Sequence, residues 1–207
     1  AVDERIVNVK IAGKDYGMGN VFSVEQALNR LGADVIVTSN AADFEKVDGI
    51  VLPGVGAFPD AMARLVELEL IAPIQKTTKP LLGICLGMQL LFEESEEVRK
   101  TKGLGILKGR IEKFKNVSRI PHIGWNELTF TDGVHFGQNY VYFVHSFYAN
   151  ETLQEEVIAY TDYEGVKVPA IVGRHNFTGM QFHPEKSGEF GMHLLQEWLQ
   201  KVGVTVC

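Results

Sequence analysis

Residues Pro80 to Ile84 form a short, unbroken apolar run that feeds directly into Gly83-x-Cys85-x-Gly87 and a second apolar stretch from Leu86 to Phe92. The first run suits a strand buried on both faces of a parallel sheet, and the second predicts a helix. Cys85 then sits on the turn between them. Glycines at 83 and 87 remove the Cβ atoms that would crowd such a turn, so a strained strand-to-helix elbow becomes possible, with its central side chain lifted out of the sheet. A thiol at the start of a helix also faces unpaired backbone N–H groups, which favour the thiolate, the attacking form.

A lone buried cysteine is more often a small hydrophobe than a nucleophile. Here the segment GMQFHPEK, Gly179 to Lys186, supplies the other groups such chemistry requires. It has strand character up to Pro184, with Met180 and Phe182 on one face and Gln181 and His183 on the other. His183 and Glu185 lie two residues apart where the chain leaves regular structure. A histidine there takes the thiol proton and later protonates a leaving amine, while the carboxylate orients the ring. His122, His135, His175 and His193 read as structural or solvated, because nothing beside them in the sequence supplies a second chemical group. Acyl transfer also needs an oxyanion hole. The Leu86 N–H is one candidate donor, and the second is Val55 or Gly56 in PGVGAF, Pro53 to Phe58, which follows the apolar strand Gly49 to Leu52. That loop also fits an ordinary strand-to-helix connection; a phosphate loop would need a Lys-Ser/Thr ending or a full GxGxxG.

The rest of the chain sets the frame. Strands at Arg5 to Ile11, Asp34 to Thr38 and Gly49 to Leu52 alternate with helical patterns at Val21 to Leu31 and in the stretch up to Leu68. This rhythm predicts a mostly parallel sheet flanked by helices, with ligands at the carboxyl ends of the strands, where the Gly13, Val55 and Cys85 loops belong. From about Gly103 the pattern changes to short runs at 109–114, 125–130, 140–144, 157–160 and 168–172, which read as antiparallel additions. Gly188 to Val202 is helical, with Phe190, Leu194, Leu195, Trp198 and Val202 as a core-facing stripe. At 207 residues without a linker, one domain over 1–207 is expected.

Composition narrows the function classes. A net charge of −6 argues against a nucleic-acid footprint, and no apolar run approaches the roughly 20 residues of a membrane span. With two cysteines, one of them the terminal Cys207, no disulfide framework is expected and a reducing cytoplasmic setting fits. The segment AVDERIVNVK has neither the apolar core of a secretory signal nor the basic character of a transit peptide.

The elbow GICLGMQ, the HPE tripeptide and the order Cys, His, Glu resemble the class I, triad-type glutamine amidotransferases. DYGMGN at Asp15 to Asn20, PGVGAF, CLGMQLLFEESEE at Cys85 to Glu97, PHIGWN at Pro121 to Asn126, YFVHSFY at Tyr142 to Tyr148 and MQFHPEKS at Met180 to Ser187 narrow the resemblance to the branch serving imidazole glycerol phosphate synthesis. It spans nearly the whole chain and implies a flavodoxin-like α/β fold. The resemblance further implies that Cys85 forms a γ-glutamyl thioester, with His183 and Glu185 completing the triad and no metal or cofactor taking part. Gln89, Glu97, Ser146 and Phe147 then match positions that bind L-glutamine, and Asn20, Trp125 and Lys186 match positions facing a cyclase subunit with a (β/α)₈ barrel. Trp125 equally fits a core position. Glu93, Glu94 and Glu96 read as a solvated helix end. In that branch ammonia passes to the cyclase through a sealed contact, and the PGVGAF loop is a natural switch, its peptide aligned only when the cyclase is occupied. Rival readings are the glutaminase of another biosynthetic amidotransferase, a non-catalytic subunit of the same fold, and a stand-alone cysteine hydrolase.

Overall fold

The computed structural model describes residues 5–9, 18–54, 56–133 and 139–203. The first half builds β1 (Arg5–Val9), α1 (Met18–Arg30), β2 (Asp34–Thr38), β3 (Gly49–Leu52), α2 (Phe58–Glu67), α3 (Ile71–Lys76), β4 (Leu81–Ile84) and α4 (Leu86–Gln89). Short strands follow as β5 (Glu94–Ser95), β6 (Thr101–Lys102), β7 (Arg110–Lys113), β8 (His122–Glu127), β9 (Thr129–Phe130), β10 (Tyr140–His145) and β11 (Phe147–Asn150). The chain closes with β12 (Val157–Tyr163), β13 (Val166–Arg174), β14 (Phe177–Met180) and α5 (Gly188–Val202).

Eight of these strands make one sheet in the order β2-β1-β3-β4-β14-β13-β12-β9. Pairing is parallel from β2 through β14 and antiparallel from β14 to β9. The parallel part has the flavodoxin-like order; of the expected antiparallel additions, those forming β9, β12 and β13 extend its far edge, whereas the runs at 109–114 and 140–144 join other sheets. Two smaller sheets, β10-β8 and β11-β7-β5-β6, are set apart from the large one.

Both faces of the large sheet are covered, which is why its central strands carry no polar alternation. Ile50, Leu52 and Leu81 pack with Phe58, Met62, Leu65 and Ile74 of α2 and α3 on one side. Val51, Leu82 and Ile84 pack with Val24 and Leu28 of α1 and with Leu194, Leu195, Trp198 and Leu199 of α5 on the other. α5 has its expected bounds. No helix among the described residues is long and apolar enough to cross a membrane.

Two expectations change. The helix after Cys85 stops at Gln89 rather than Phe92. The N–H groups of Leu91 and Phe92 bond only three residues back, to Met88 and Gln89, while the carbonyls of Leu90, Leu91 and Phe92 accept from Leu104, Ile106, Leu107 and Gly105. This segment is apolar all round because it is buried all round, with Leu90 and Leu91 fully covered, so apolarity does not imply helical continuation. The Glu93 to Glu97 stretch is accordingly no helix end. Glu93 accepts the Gly109 N–H, Glu96 accepts the Lys113 N–H, and Glu94 pairs with Arg110 at 3.0 Å.

The elbow glycines are demanded by close approach. A Cβ at Gly87 would lie 1.7 Å from the Leu52 carbonyl oxygen, and one at Gly83 would lie 2.6 Å from the Gly87 oxygen. Neither obstacle is a side chain able to move aside. We therefore expect Gly87→Ala to lower unfolding stability by at least about 3 kcal/mol, the upper end of overpacking costs, read from the urea midpoint; an unchanged midpoint would contradict this packing.

Candidate active site

β4 delivers Cys85 at its carboxyl end. The residue has φ 54° and ψ −109°, a left-handed conformation that a non-glycine residue adopts at a cost of about 1–3 kcal/mol. The Cys85 N–H, donating to the Met180 carbonyl at 2.8 Å, extends the β4–β14 pairing by one residue and holds the turn in place. Cys85 is the one free cysteine among the described residues, and its sulfur lies 3.8 Å from the Val144 carbonyl. Leu86 starts α4, so its N–H has no intrahelical acceptor and is open to a ligand.

β14 ends at Met180, earlier than expected. Gln181 still donates its N–H to Ala170, but the chain then diverges and the His183 N–H reaches the Tyr142 carbonyl of β10 at 3.0 Å. Ser187 locks this segment, donating to the His183 carbonyl and accepting the Tyr142 N–H. His183 Nδ1 stands 2.8 Å from Glu185 Oε1, with both side chains buried. Burial disfavours charge on the ring, but hydrogen bonds to Cys85 and Glu185, reinforced by their negative charge, outweigh it and raise His183 to about 10. The side chains of Cys85, His183 and Glu185 therefore converge as expected.

A pocket of about 320 Å³ opens on Cys85, within the roughly 300–1,000 Å³ typical of small-molecule sites. Gly56, with φ +106°, and Leu86 line it together with Cys85; Gln89, Glu97, His145, Ser146, Phe147 and His183 form its other walls. Val55 lies outside the described residues. Glu97 Oε2 accepts the Phe58 N–H at 2.9 Å, tying the pocket to the start of α2, whose N-cap Ala57 offers no side-chain oxygen. Burial raises the Glu97 pKa, the Phe58 N–H opposes that shift, and Asp60 adds to it.

The three expected partner-facing residues lie away from this pocket. Trp125 is 55% exposed on β8, which removes the core reading, and Lys186 is exposed just after Glu185. Asn20 falls in the first turns of α1, and its side chain lies outside the described residues.

Not legible in the sequence is a buried polar layer that runs from the pocket wall, at Gln89 and His145, into the core. The Gln181 amide Nε2 lies 3.8 Å from the Cys85 sulfur, and its oxygen accepts from Gln89 at 3.1 Å. His145, unremarked within YFVHSFY, and His122 are both buried, and their rings meet at 2.9 Å. His122 thus has the second group denied to it, as does the exposed His193, whose Nε2 lies 3.1 Å from Glu197, whereas His175 is exposed as expected. His135 lies outside the described residues. The available signal was strand alternation, which places His145 on the buried face of β10 with Val141 and Phe143.

A cysteine on a strand-to-helix elbow, with a His–carboxylate couple just past the end of the neighbouring parallel strand, has the arrangement of a triad-type thiol acyl-transfer site. The family description "Glutamine amidotransferase class-I" matches residues 13–202, and the chain belongs to that family. The chain is 52% identical over 197 residues to the imidazole glycerol phosphate synthase subunit HisH of Bacillus cereus (strain ATCC 10987 / NRS 248), covering 91% of this chain and 93% of that one. The subunit of the same name from Bacillus thuringiensis (strain Al Hakam) is likewise 52% identical, over the same shares. A crystal structure of a glutamine amidotransferase superposes with TM-score 0.74 at 21% identity, covering 96% of this chain and 99% of that one. The structure of PurLQS from Thermotoga maritima gives 0.72 at 20% identity with the same coverage, which shows the shared fold.

His183 should remain protonated well above the ordinary histidine range. Its raised pKa stabilises the folded state fully below the unfolded value of 6.5, and that contribution is lost as pH rises through about 10. An NMR titration should find His183 charged at about pH 8, with a lower midpoint in Glu185→Gln; a midpoint near 6.5 in the unsubstituted protein would contradict the coupling.

Proposed function

We propose that this chain is the glutaminase subunit of an imidazole glycerol phosphate synthase in histidine biosynthesis, with Cys85, His183 and Glu185 as its catalytic triad. The observation that carries the reading is the pocket in which Cys85, His183 and the glutamine-end residues Gln89 and Glu97 meet. The 52% identity to the Bacillus cereus HisH subunit over most of both chains supports the pathway.

The steps follow from the geometry. The Cys85 thiolate attacks the γ-carbonyl carbon of L-glutamine, and the oxyanion meets the Leu86 N–H and the Val55–Gly56 loop. As the tetrahedral intermediate collapses, the C–N bond breaks and the His183 imidazolium gives its proton to the departing nitrogen, releasing ammonia and leaving a γ-glutamyl thioester. Neutral His183 then takes a proton from water as the oxygen attacks the thioester, and glutamate departs with the thiolate–imidazolium pair restored. Glu185 holds Nδ1 throughout and supports the imidazolium. Gln89 and Glu97 receive the substrate α-ammonium, while the Ser146–Phe147 backbone lines the opposite wall.

Ammonia is a nucleophile only while unprotonated, so delivery to the acceptor requires a contact closed to water. The exposed Trp125, together with Asn20 and Lys186, belongs to that contact with a (β/α)₈-barrel cyclase, in the cytoplasm. A single glutamine amidotransferase domain over 1–207 suffices for this half of the reaction. The Gly56 loop aligns its N–H when the cyclase carries its ligand, so the liganded complex should hydrolyse glutamine faster than the isolated subunit; equal rates would refute the switch.

In the reconstituted complex, Cys85→Ala should abolish glutamine-dependent synthesis, a fall of at least about 10³-fold as expected for loss of a covalent nucleophile. Synthesis from ammonium should stay within about two-fold, because the cyclase needs only the free base. Retained glutamine turnover would remove Cys85 from its role.

A further inference from the structure

The polar layer that begins at the pocket wall, where Gln89 and His145 sit, has a direction. The Gln89 Nε2 group lies 3.1 Å from the Phe147 carbonyl and 3.1 Å from Gln181 Oε1, and both are acceptors. Both amide hydrogens are therefore engaged, and Oε1 is the atom left to face the pocket. Beside the Glu97 carboxylate, this makes the end of the pocket acceptor-only, which suits an ammonium group. A half-turn of the Gln89 amide would set oxygen against oxygen at Phe147 and point an N–H at the substrate cation.

The Phe147 carbonyl stands where the chain divides between two sheets. β10 ends at His145 to pair with β8, and β11 begins at Phe147 to pair with β7. At this junction the carbonyl takes two side-chain donors, Gln89 and His145 Nδ1, the latter at 2.7 Å. We propose that His145, oriented by His122, is a positioning residue for glutamine binding: its Nδ1–H holds the Phe147 carbonyl, which fixes Gln89 with its oxygen toward the substrate. The inference rests on the glutaminase reading above.

The proton assignment follows from elementary rules. A carbonyl only accepts, so Nδ1 of His145 carries the hydrogen and Nε2 is bare; the contact at 2.9 Å is then donated by His122 Nδ1. His122 Nε2 sits 2.7 Å from the Asn126 amide, whose two ends are isosteric, and a neutral His122 selects the end bearing hydrogen. Little opposes that choice, since the other Asn126 contact, to the Asp162 carbonyl, is a long 3.4 Å. Burial favours the neutral form of both rings, bringing His145 down to about 3. Packing blocks rotation. The His122 ring stacks on Tyr163 at 4.0 Å and on Phe143 at 4.8 Å, and Phe114 closes on His145 at 5.2 Å.

Two isosteric substitutions separate positioning from bulk packing. In His145→Asn the amide nitrogen falls at the Nδ1 position and keeps the bond to Phe147; in His145→Gln it falls near Nε2 and that bond is lost. Both variants lose ring packing and should be less stable. In the reconstituted complex with a cyclase subunit, His145→Gln should raise the glutamine KM about ten-fold, the cost of one buried hydrogen bond, with kcat within about two-fold. His145→Asn should stay near the unsubstituted KM. Equal KM values in the two variants, or a fall in kcat without a KM change, would overturn the proposal. Should either variant fail to fold, ¹⁵N-histidine NMR of the unsubstituted protein decides the point, expecting His145 with hydrogen on Nδ1; hydrogen on Nε2 overturns it. Labelling of Cys85 by an electrophilic glutamine analogue is the separate control, because its absence in the unsubstituted complex sinks the glutaminase reading whatever His145 does.

Discussion

Everything catalytic in this molecule depends on how closely α4 can approach β3 and β4. Gly87 lies against the Leu52 carbonyl and Gly83 against the Gly87 carbonyl, with no room for a Cβ at either place. That clearance lets the chain turn within one residue, and the turn forces Cys85 to φ 54°. A wider turn would let the cysteine relax and draw its sulfur back into the sheet. The strain is held by surroundings that are fully committed: the Met180 carbonyl takes the Cys85 N–H, and the leucines that follow are buried on every side.

Around this point the site is assembled from pieces that tolerate little freedom. His183 is pinned through its backbone by Tyr142 and Ser187, and through its ring by Glu185 and Cys85. The helix that begins at Leu86 is only four residues long, so its contribution is the open Leu86 N–H rather than a long macrodipole. Buried polar groups impose a cost unless all are satisfied, and here the satisfaction runs in sequence from Asn126 through His122, His145, Phe147, Gln89 and Gln181 to the sulfur. Such a layer favours one geometry over its neighbours, which suits a reaction requiring thiol, base and γ-carbonyl to meet within a few tenths of an ångström.

Where a local pattern has a single physical cause, the sequence is legible. β2, β3 and α5 have the predicted bounds; for β3 and α5 this is because full burial and a one-sided apolar stripe each map onto one kind of element. The elbow and triad were legible because glycine, cysteine and histidine at those spacings answer steric and chemical demands that few other arrangements make. What failed depended on distant partners. The helix after Cys85 was overextended because the carbonyls of Leu90 to Phe92 are claimed by residues 104–107, far along the chain. β14 was overextended because β10 draws His183 away from the ladder. Trp125 was ambiguous because a tryptophan on a short strand gives no sign of which face meets solvent. The His122–His145 pair was invisible for a simpler reason: pairing β8 with β10 is what brings the two rings together.

These features describe a thiol in a pocket also lined by Gln89 and Glu97, on a fold shared with glutamine amidotransferases. On the proposed function, the sulfur of Cys85 becomes covalently joined to the substrate's γ-carbon during turnover. Acid quenching of the reconstituted complex as it consumes glutamine, followed by peptide mass spectrometry, measures this directly. The expected result is a glutamyl group on the peptide bearing Cys85, appearing before glutamate accumulates. Steady hydrolysis with that peptide unmodified, or with the glutamyl group on another residue, would contradict it.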